Sequence, residues 1–380
     1  MFEKRHYINI IALMLTAFVS GLYFFKYSSI YLKHPFLLTG IYIFIFISIV
    51  LYISKINIKN LKILYRKFLA VFSINIVIVV FLWITFLPRL GEIGRLPAIE
   101  DWIYRFILGR FPYNSPFTPS AYPFLFFSSM PFYLIGNIGY LEVIGLILFL
   151  YFLFYKSKTQ KEILIVLIIL LISPVLYYGI AVRDELFYNM LLTITSIFIA
   201  EEILYPEKIN LKFILVGIIF GLVLSTRSVA AIIYAIYLPY IFRNNIPKGI
   251  VFLMIVLSIF ILLLYPFFLW DEKSFLQNGP IAVQSYLSHI PFWSVLIIII
   301  VSGLTGWIVS DTQELFFSCG VLLFLPVLLS MLIQITQVGF HIAIVEDVFD
   351  PSYYIFCMPF LLLSIKEYTI DKSLSKILAD

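Results

Sequence analysis

The sequence predicts an all-α integral membrane protein, and its composition is the first reason. Apolar residues make up 62% of the 380 residues, charged residues make up 12%, and the mean hydropathy is +1.05. Soluble domains carry about 25% charged residues, so this chain has too few charges to cover a water-facing surface. Most of its surface must therefore face lipid. A disordered chain, a disulfide-rich secreted scaffold and a cytosolic enzyme are excluded.

The second reason is a series of long apolar runs, which predict about twelve transmembrane helices in one polytopic domain over residues 1–380. A spanning helix needs about 20 mainly apolar residues. The two cysteines, Cys319 and Cys357, lie in such runs and are expected to be buried. The predicted spans are 8–25, 35–54, 69–87, 140–155, 163–181, 186–204, 211–225, 229–242, 249–269, 294–309, 315–335 and 353–366.

The first span is expected to be retained in the membrane. Lys4 and Arg5 precede it, but no small-residue cleavage site of the kind found in signal peptides follows it. Together with the second span it forms an N-terminal two-span extension, residues 1–68.

Lysine-rich connections predict the orientation in the plasma membrane. Residues 55–68, 156–162 and the C-terminal tail carry most of the lysines, which is typical of cytoplasmic connections. If all three are cytoplasmic, an even number of spans separates them, and residues 121–138 do not cross. Prolines in that segment also favour a juxtamembrane helix on the outer face. Both termini are then cytoplasmic.

The longest polar stretch, residues 88–122, is expected on the outer face. It holds the adjacent carboxylates Glu100 and Asp101 among four arginines. Residues 98–109 could form an amphipathic helix with Asp101, Tyr104 and Arg105 on one face. A carboxylate against apolar walls is a reasonable general base. The alternative is that both acids sit in a solvated turn and pair with Arg105.

In order along the loop come Asp101, Tyr104, Gly109, Pro112-Tyr113 and Tyr122-Pro123. With these residues the loop resembles the first large outer loop of the GT-C glycosyltransferases, multi-span enzymes that use polyprenyl-phosphate sugars. In that superfamily an early outer loop carries an acidic residue, often followed by an aromatic, a Gly-x-x-Pro-Tyr-like turn and a Tyr-Pro-Pro-like segment. Here Tyr122-Pro123-Phe124 replaces Tyr-Pro-Pro. Two later segments are also similar: Arg183-Asp184-Glu185 at the outer end of a span, and a Gly-rich helix that ends in Thr226-Arg227.

The resemblance covers about residues 85–245, and the chain departs from the pattern in three further ways. The acidic loop follows the third span, whereas in many members it follows the first. The acidic pair is Glu-Asp, not Asp-Glu or Asp-x-Asp, which leaves the identity of the base and the need for a divalent cation open. The sequence shows no large soluble C-terminal domain like that of oligosaccharyltransferases.

The resemblance implies a transferase of the polyprenyl-phosphate mannosyltransferase kind, which moves a monosaccharide with inversion. The catalytic base would be Asp101, with Glu100 beside it. Arg183 and Arg227 would contact the donor phosphate, unless Arg183 only pairs with Asp184 or Glu185. The acceptor would be a lipid-linked glycan, a cell-surface polymer or a protein, and no nucleic acid is involved. The full set of expected substrate-binding residues is Arg183, Asp184, Arg227, Tyr104, Tyr113, Trp102, Arg105, Tyr122 and His341.

Several of these residues have plainer explanations. His341, with Glu346 and Asp347, could bind a metal, but no ligand spacing supports this. The interfacial aromatic belt explains most of the tryptophans and tyrosines without any sugar contact.

Three other classes of protein compete with the transferase. A polyprenyl-lipid flippase or transporter is expected to show inverted halves and mid-membrane charges. A polymerase or ligase of the O-antigen type concentrates its functional residues in a late outer loop, whereas the largest loop here is early and acidic. A non-catalytic membrane scaffold has no need for an acidic pair among arginines.

Overall fold

The computed structural model describes residues 2–55, 62–90, 95–204, 209–288, 290–346 and 348–366. Within these ranges the chain is helical and has no strand, which confirms the predicted all-α class. The helices are α1 (Phe2–Tyr31), α2 (Pro35–Lys55), α3 (Lys62–Phe86), α4 (Arg95–Ile107), α5 (Pro123–Leu134), α6 (Tyr140–Lys156), α7 (Gln160–Ile172), α8 (Pro174–Val182), α9 (Leu186–Ile203), α10 (Leu211–Leu224), α11 (Val229–Phe242), α12 (Ile246–Trp270), α13 (Glu272–Asn278), α14 (Pro280–Ser288), α15 (Phe292–Ile308), α16 (Thr312–Val338), α17 (Phe340–Val345), the 3-10 helix η1 (Pro351–Phe356) and α18 (Met358–Ser364).

Six of the described helices are long and apolar enough to cross a membrane: α1, α2, α3, α9, α12 and α16. Shorter apolar helices, among them α10, α11, α15 and the pair η1–α18, coincide with other predicted spans. The chain thus has the helices of a membrane protein. The number that cross, twelve in the prediction, stays a prediction, as does the orientation. Residues 56–61 and 367–380, which carry Lys59, Lys372 and Lys376 among the lysines behind that orientation, lie outside the described residues.

One predicted span is broken. The sequence predicts a continuous helix over 163–181, but α7 and α8 meet at an angle of 60°. The break lies between Ser173, which has an extended backbone, and Pro174, the first residue of α8. Proline has no N–H to continue the helical hydrogen bonds, and it disfavours a helical backbone in the residue before it. Taken as one bent span, the pair would be a seventh candidate.

The chain folds into two compact units. The first comprises residues 1–82, 149–179 and 310–380, and the second comprises residues 83–148 and 180–309. In the first unit, Asn9 of α1 donates a hydrogen bond to the carbonyl of Lys366 at 2.6 Å and accepts one from Gln313 at 3.2 Å. Cys319 and Cys357 are free thiols with no exposed surface, as predicted.

The helices of the second unit approach one another closely at glycines. A Cβ atom at Gly306 of α15 would lie 2.1 Å from the carbonyl oxygen of Ile236 in α11. At Gly221 of α10 it would lie 2.8 Å from the carbonyl oxygen of Val256 in α12. Such glycines let two helix backbones touch, which is a common way for helices to associate in membranes. All the residues of the site described next belong to this second unit, except His341.

Candidate functional site

Helix α4 carries both candidate carboxylates. The sequence predicts a helix over 98–109, and the structure places it at Arg95–Ile107. It begins three residues earlier because Pro97 falls in the first turn, where a missing N–H costs no helical hydrogen bond. Its apolar face is buried, whereas Asp101 is half-buried and Tyr104 is exposed. The predicted amphipathic character of the segment is confirmed.

The buried face of α4 centres on Trp102. Its ring stacks on Phe126 of α5, with centroids 4.2 Å apart, and on Phe106, with centroids 5.3 Å apart. The tryptophan has no exposed surface, so in this structure neither face of its ring is open to a sugar. Tyr113 meets it edge-on at 5.9 Å and donates a hydrogen bond to the carbonyl of Ala121 at 3.2 Å. Both expected substrate contacts, Trp102 and Tyr113, are thus buried side chains, and their packing holds α4 in place.

The two carboxylates have different partners. Asp101 accepts a hydrogen bond from Nε of Arg105 at 2.6 Å, one helical turn further on. Glu100 pairs with Arg89 at 3.3 Å, and its side chain is 42% exposed compared with 20% for Asp101. The expected pairing with Arg105 is therefore present for Asp101 alone, and on a helix instead of a turn. Asp101 is the more buried and more closely held of the two.

A cavity of about 410 Å³ opens beside this pair. Ligand pockets usually measure about 300–1,000 Å³. Arg105 lines the cavity and binds Asp101, so the carboxylate lies one hydrogen bond behind the cavity wall. The polar lining residues are Arg105, Tyr113, Asn114, Ser115, Thr118 and Asn278.

Arg183 does not bind the carboxylates next to it in sequence. Its Nη2 donates to the carbonyls of Ile84 and Leu87, at 3.0 and 3.2 Å, at the C-terminal end of α3. Its backbone is left-handed, with φ of +57°. Burial and the nearby charge of Arg89 lower the pKa of Arg183 from its ordinary value. The expected alternative, a pair with Asp184 or Glu185, is not the arrangement found.

Those two acids instead bind arginines that are distant in sequence. Arg95, the first residue of α4, pairs with Asp184 at 3.1 Å, and the carboxylate of Asp184 also accepts from the N–H of Leu186 at 2.8 Å. Arg227 donates to Glu185, and both side chains are almost fully buried. Arg227 thus has a carboxylate partner already and is not free for a phosphate in this structure.

A third buried acid, Glu142 of α6, lies close enough to Asp184 and Glu185 for their charges to act on it. The packing explains why they meet, because a Cβ atom at Gly145 would lie 3.1 Å from Cα of Tyr188 in α9. Sequence reasoning missed Glu142, although a single acid inside an apolar run is a recognisable signal of a functional or paired group.

The end of the outer loop is tied to the turn between α10 and α11. The N–H groups of Tyr122 and Phe124 donate to the carbonyls of Thr226 and Ser225, at 3.0 and 2.9 Å. Arg227 adds a side-chain hydrogen bond to Ser120 at 3.0 Å. Tyr122 is buried, which raises its pKa to about 12.

Gln284 of α14 makes a second link between the same two segments. It donates to the carbonyl of Ser120 and accepts from the hydroxyl of Ser228. Three of the predicted segments, the loop, Arg183–Glu185 and Thr226–Arg227, therefore meet in one unit.

His341 is not among them. It lies on α17 in the first unit, is largely exposed and faces Glu346 at 3.5 Å. Asp347, named with it as a candidate metal ligand, lies outside the described residues. Among the residues that the structure describes, no group of three His, Cys, Asp or Glu side chains is arranged to hold a metal ion.

No protein-family model, curated protein or solved structure matches this chain. Its function must therefore be inferred from the residues and their geometry.

Proposed function

We propose that this protein is a GT-C-like glycosyltransferase, which moves a monosaccharide from a polyprenyl phosphate to a hydroxyl group on the outer face of the membrane. The observation that carries the proposal is Asp101. This carboxylate lies on an amphipathic helix, is held by Arg105 and stands next to a cavity of ligand size. A general base must come within hydrogen-bond reach of the proton that it takes from a substrate. Arg105 binds Oδ2 of Asp101, so in this proposal Oδ1 is the oxygen that meets the acceptor hydroxyl.

In this reaction Asp101 accepts the proton of the acceptor hydroxyl while the hydroxyl oxygen attacks the anomeric carbon. The bond between that carbon and the phosphate oxygen breaks, and polyprenyl phosphate leaves with the bonding electrons. The attack comes from the side opposite the leaving group, so the configuration inverts. Arg105 fixes the carboxylate through a charge-assisted hydrogen bond.

The leaving phosphate needs positive charge. Arg183 keeps its expected role in the proposal, and Arg89 joins it because the two guanidinium groups act on each other electrostatically. Glu100 pairs with Arg89, and its charge also acts on Arg183, which leaves one positive charge in this group of three for an anion. Arg227 is better assigned to positioning, since it binds Glu185 and Ser120.

The test is a transfer assay with the purified protein in lipid nanodiscs. It offers radiolabelled polyprenyl-phosphate hexoses with a membrane-glycan fraction as acceptor, with and without a divalent cation. We expect Asp101→Asn to lower the transfer rate by about 10²–10⁴-fold, the usual contribution of a general base. Glu100→Gln is the comparison variant, because it changes the neighbouring carboxylate on the same turn and leaves Asp101 in place. It should change the dependence of the rate on donor concentration, through the phosphate-binding charges, and retain turnover. Full activity of Asp101→Asn would refute the assigned base.

One observation favours a second candidate, a flippase or transporter of polyprenyl lipids. Glu142, Asp184 and Glu185 are buried acids, and ionisable groups in membrane helices often mark transport pathways. The same protein in vesicles with a fluorescent polyprenyl lipid separates the candidates. Lipid movement without sugar transfer would support the transporter.

A further inference from the structure

The wall of the cavity beside Asp101 combines polar and apolar surface and carries little charge. Amides and hydroxyls dominate it, with Pro116 and Val283 as the apolar members. Its one guanidinium, from Arg105, is already balanced by Asp101 at 2.6 Å. An anionic ligand would therefore find no surplus positive charge, and a cationic ligand would find no carboxylate in the lining.

Two amides in this wall are oriented before any ligand binds. Asn278 donates a hydrogen bond to Oδ1 of Asn114 at 3.0 Å, and Asn114 donates to the hydroxyl of Ser274 at 3.2 Å. Both asparagines are exposed to solvent at the cavity. Amide and hydroxyl groups can each donate and accept hydrogen bonds, and so can the hydroxyl groups of a sugar. Fixing them in advance reduces the entropy lost on binding.

The backbone of the cavity wall is also unusual. Thr118 has a left-handed backbone, with φ of +47°. A β-branched residue rarely adopts this conformation, and such strained residues concentrate at ligand-binding sites. Thr118 lies in the outer loop, whereas Asn278 and Val283 come from α13 and α14, so two segments distant in sequence form the wall.

We infer that this cavity binds a neutral carbohydrate chain. Resting on the proposed function, the inference identifies that chain as the acceptor, bound with one hydroxyl directed at Asp101. Of the acceptors named above, the cavity therefore fits a glycan and not a protein. Asn114 and Asn278 are the residues that recognise it, and neither belongs to the transfer chemistry.

Binding can be measured without any transfer. The native Cys319 and Cys357 have no exposed surface, so a cysteine introduced at Val283 is the thiol that a maleimide would reach. The rate of labelling of Val283→Cys is measured in nanodiscs with neutral manno-, gluco- and galacto-oligosaccharides. An oligogalacturonate of equal length and an uncharged Gly-Ser peptide are the comparison probes. Ile281→Cys, which is exposed on the same helix outside the cavity, is the control.

We expect at least one neutral oligosaccharide to slow the labelling of Val283→Cys by roughly tenfold, at a concentration about ten times its Kd. Labelling of Ile281→Cys should not change. Adding Asn278→Leu should abolish the protection, whereas Gln277→Leu, a change of the exposed neighbour, should preserve it.

Protection by the oligogalacturonate alone would overturn the neutral character of the site. Protection by the peptide alone would overturn the carbohydrate in favour of a protein acceptor, and protection by none of the probes would overturn the site. The transfer assay separates this inference from the proposed function. Sugar protection without transfer would support the binding site and refute the transferase, whereas transfer without protection would do the reverse.

Discussion

The buried pair of Arg227 and Glu185 offers the sharpest test of the site's construction. Their side chains are only 6% and 1% exposed. Arg227→Met keeps most of the side-chain volume but leaves the carboxylate of Glu185 buried without its guanidinium. The unpaired Glu185 would then lie near two further buried carboxyl groups, those of Glu142 and Asp184. Removing one member of a buried ion pair costs about 3–5 kcal/mol.

The second arm of the test removes both charges. Arg227→Met combined with Glu185→Met replaces the pair by apolar groups of similar size. Such replacements are often neutral or stabilising by about 1–4 kcal/mol, because neither ion has to be desolvated. The double variant should therefore be more stable than the single variant. In a double-mutant cycle the coupling energy should then be negative, which means that the double variant loses less stability than the two single variants lose together.

The assay is unfolding of the purified protein in mixed micelles by increasing mole fractions of a denaturing detergent. Arg110→Met is the control, because it removes an exposed arginine from the outer loop of the same unit and should change stability by no more than about 0.5 kcal/mol. If Arg227→Met changed the free energy of unfolding by no more than this control does, the reasoning would be refuted. A double variant less stable than Arg227→Met would also refute it.

Two further predictions concern packing in the second unit, measured by the same unfolding assay. Gly306→Ala should destabilise the protein by about 1–3 kcal/mol, because its Cβ would lie 2.1 Å from the carbonyl oxygen of Ile236. Gly303→Ala, whose Cβ would lie 4.0 Å from its nearest neighbour, should instead be neutral or stabilising by up to about 1 kcal/mol, and equal effects would contradict the close contact. Trp102→Ala should cost about 3–5 kcal/mol, whereas Tyr104→Ala, at a position 51% exposed, should cost little, and the opposite order would show that the aromatic cluster is wrongly assigned.

Much of the helical architecture follows from local sequence. Long apolar runs such as Ile246–Trp270 need no tertiary information, because only a helix satisfies its own backbone groups in lipid. The amphipathic helix α4 is predictable for a similar reason, since the spacing of its charges matches the helical period. The break at Pro174 is also readable in principle, from the chemistry of proline. The prediction missed it because the apolar run continues on both sides.

The partners of the charged residues could not be predicted in this way. Asp101 and Arg105 are four residues apart on one helix, so their spacing predicts the pair. Arg95 and Asp184 are 89 residues apart, and their pairing depends on how α4 packs against the start of α9. Nearness in sequence suggested Asp184 or Glu185 as the partner of Arg183. Its left-handed backbone instead directs its side chain to the end of α3.

The two hydrogen bonds from Tyr122 and Phe124 to Thr226 and Ser225 have a consequence for how this site can change. They join main-chain atoms, so replacing any of these side chains leaves both bonds chemically intact. An alanine scan of the region would therefore pass over the connection. Only proline at position 122 or 124 would delete a donor. The exposed side chains of the loop can thus change, and adapt to a different ligand, while its main chain stays attached at the same point.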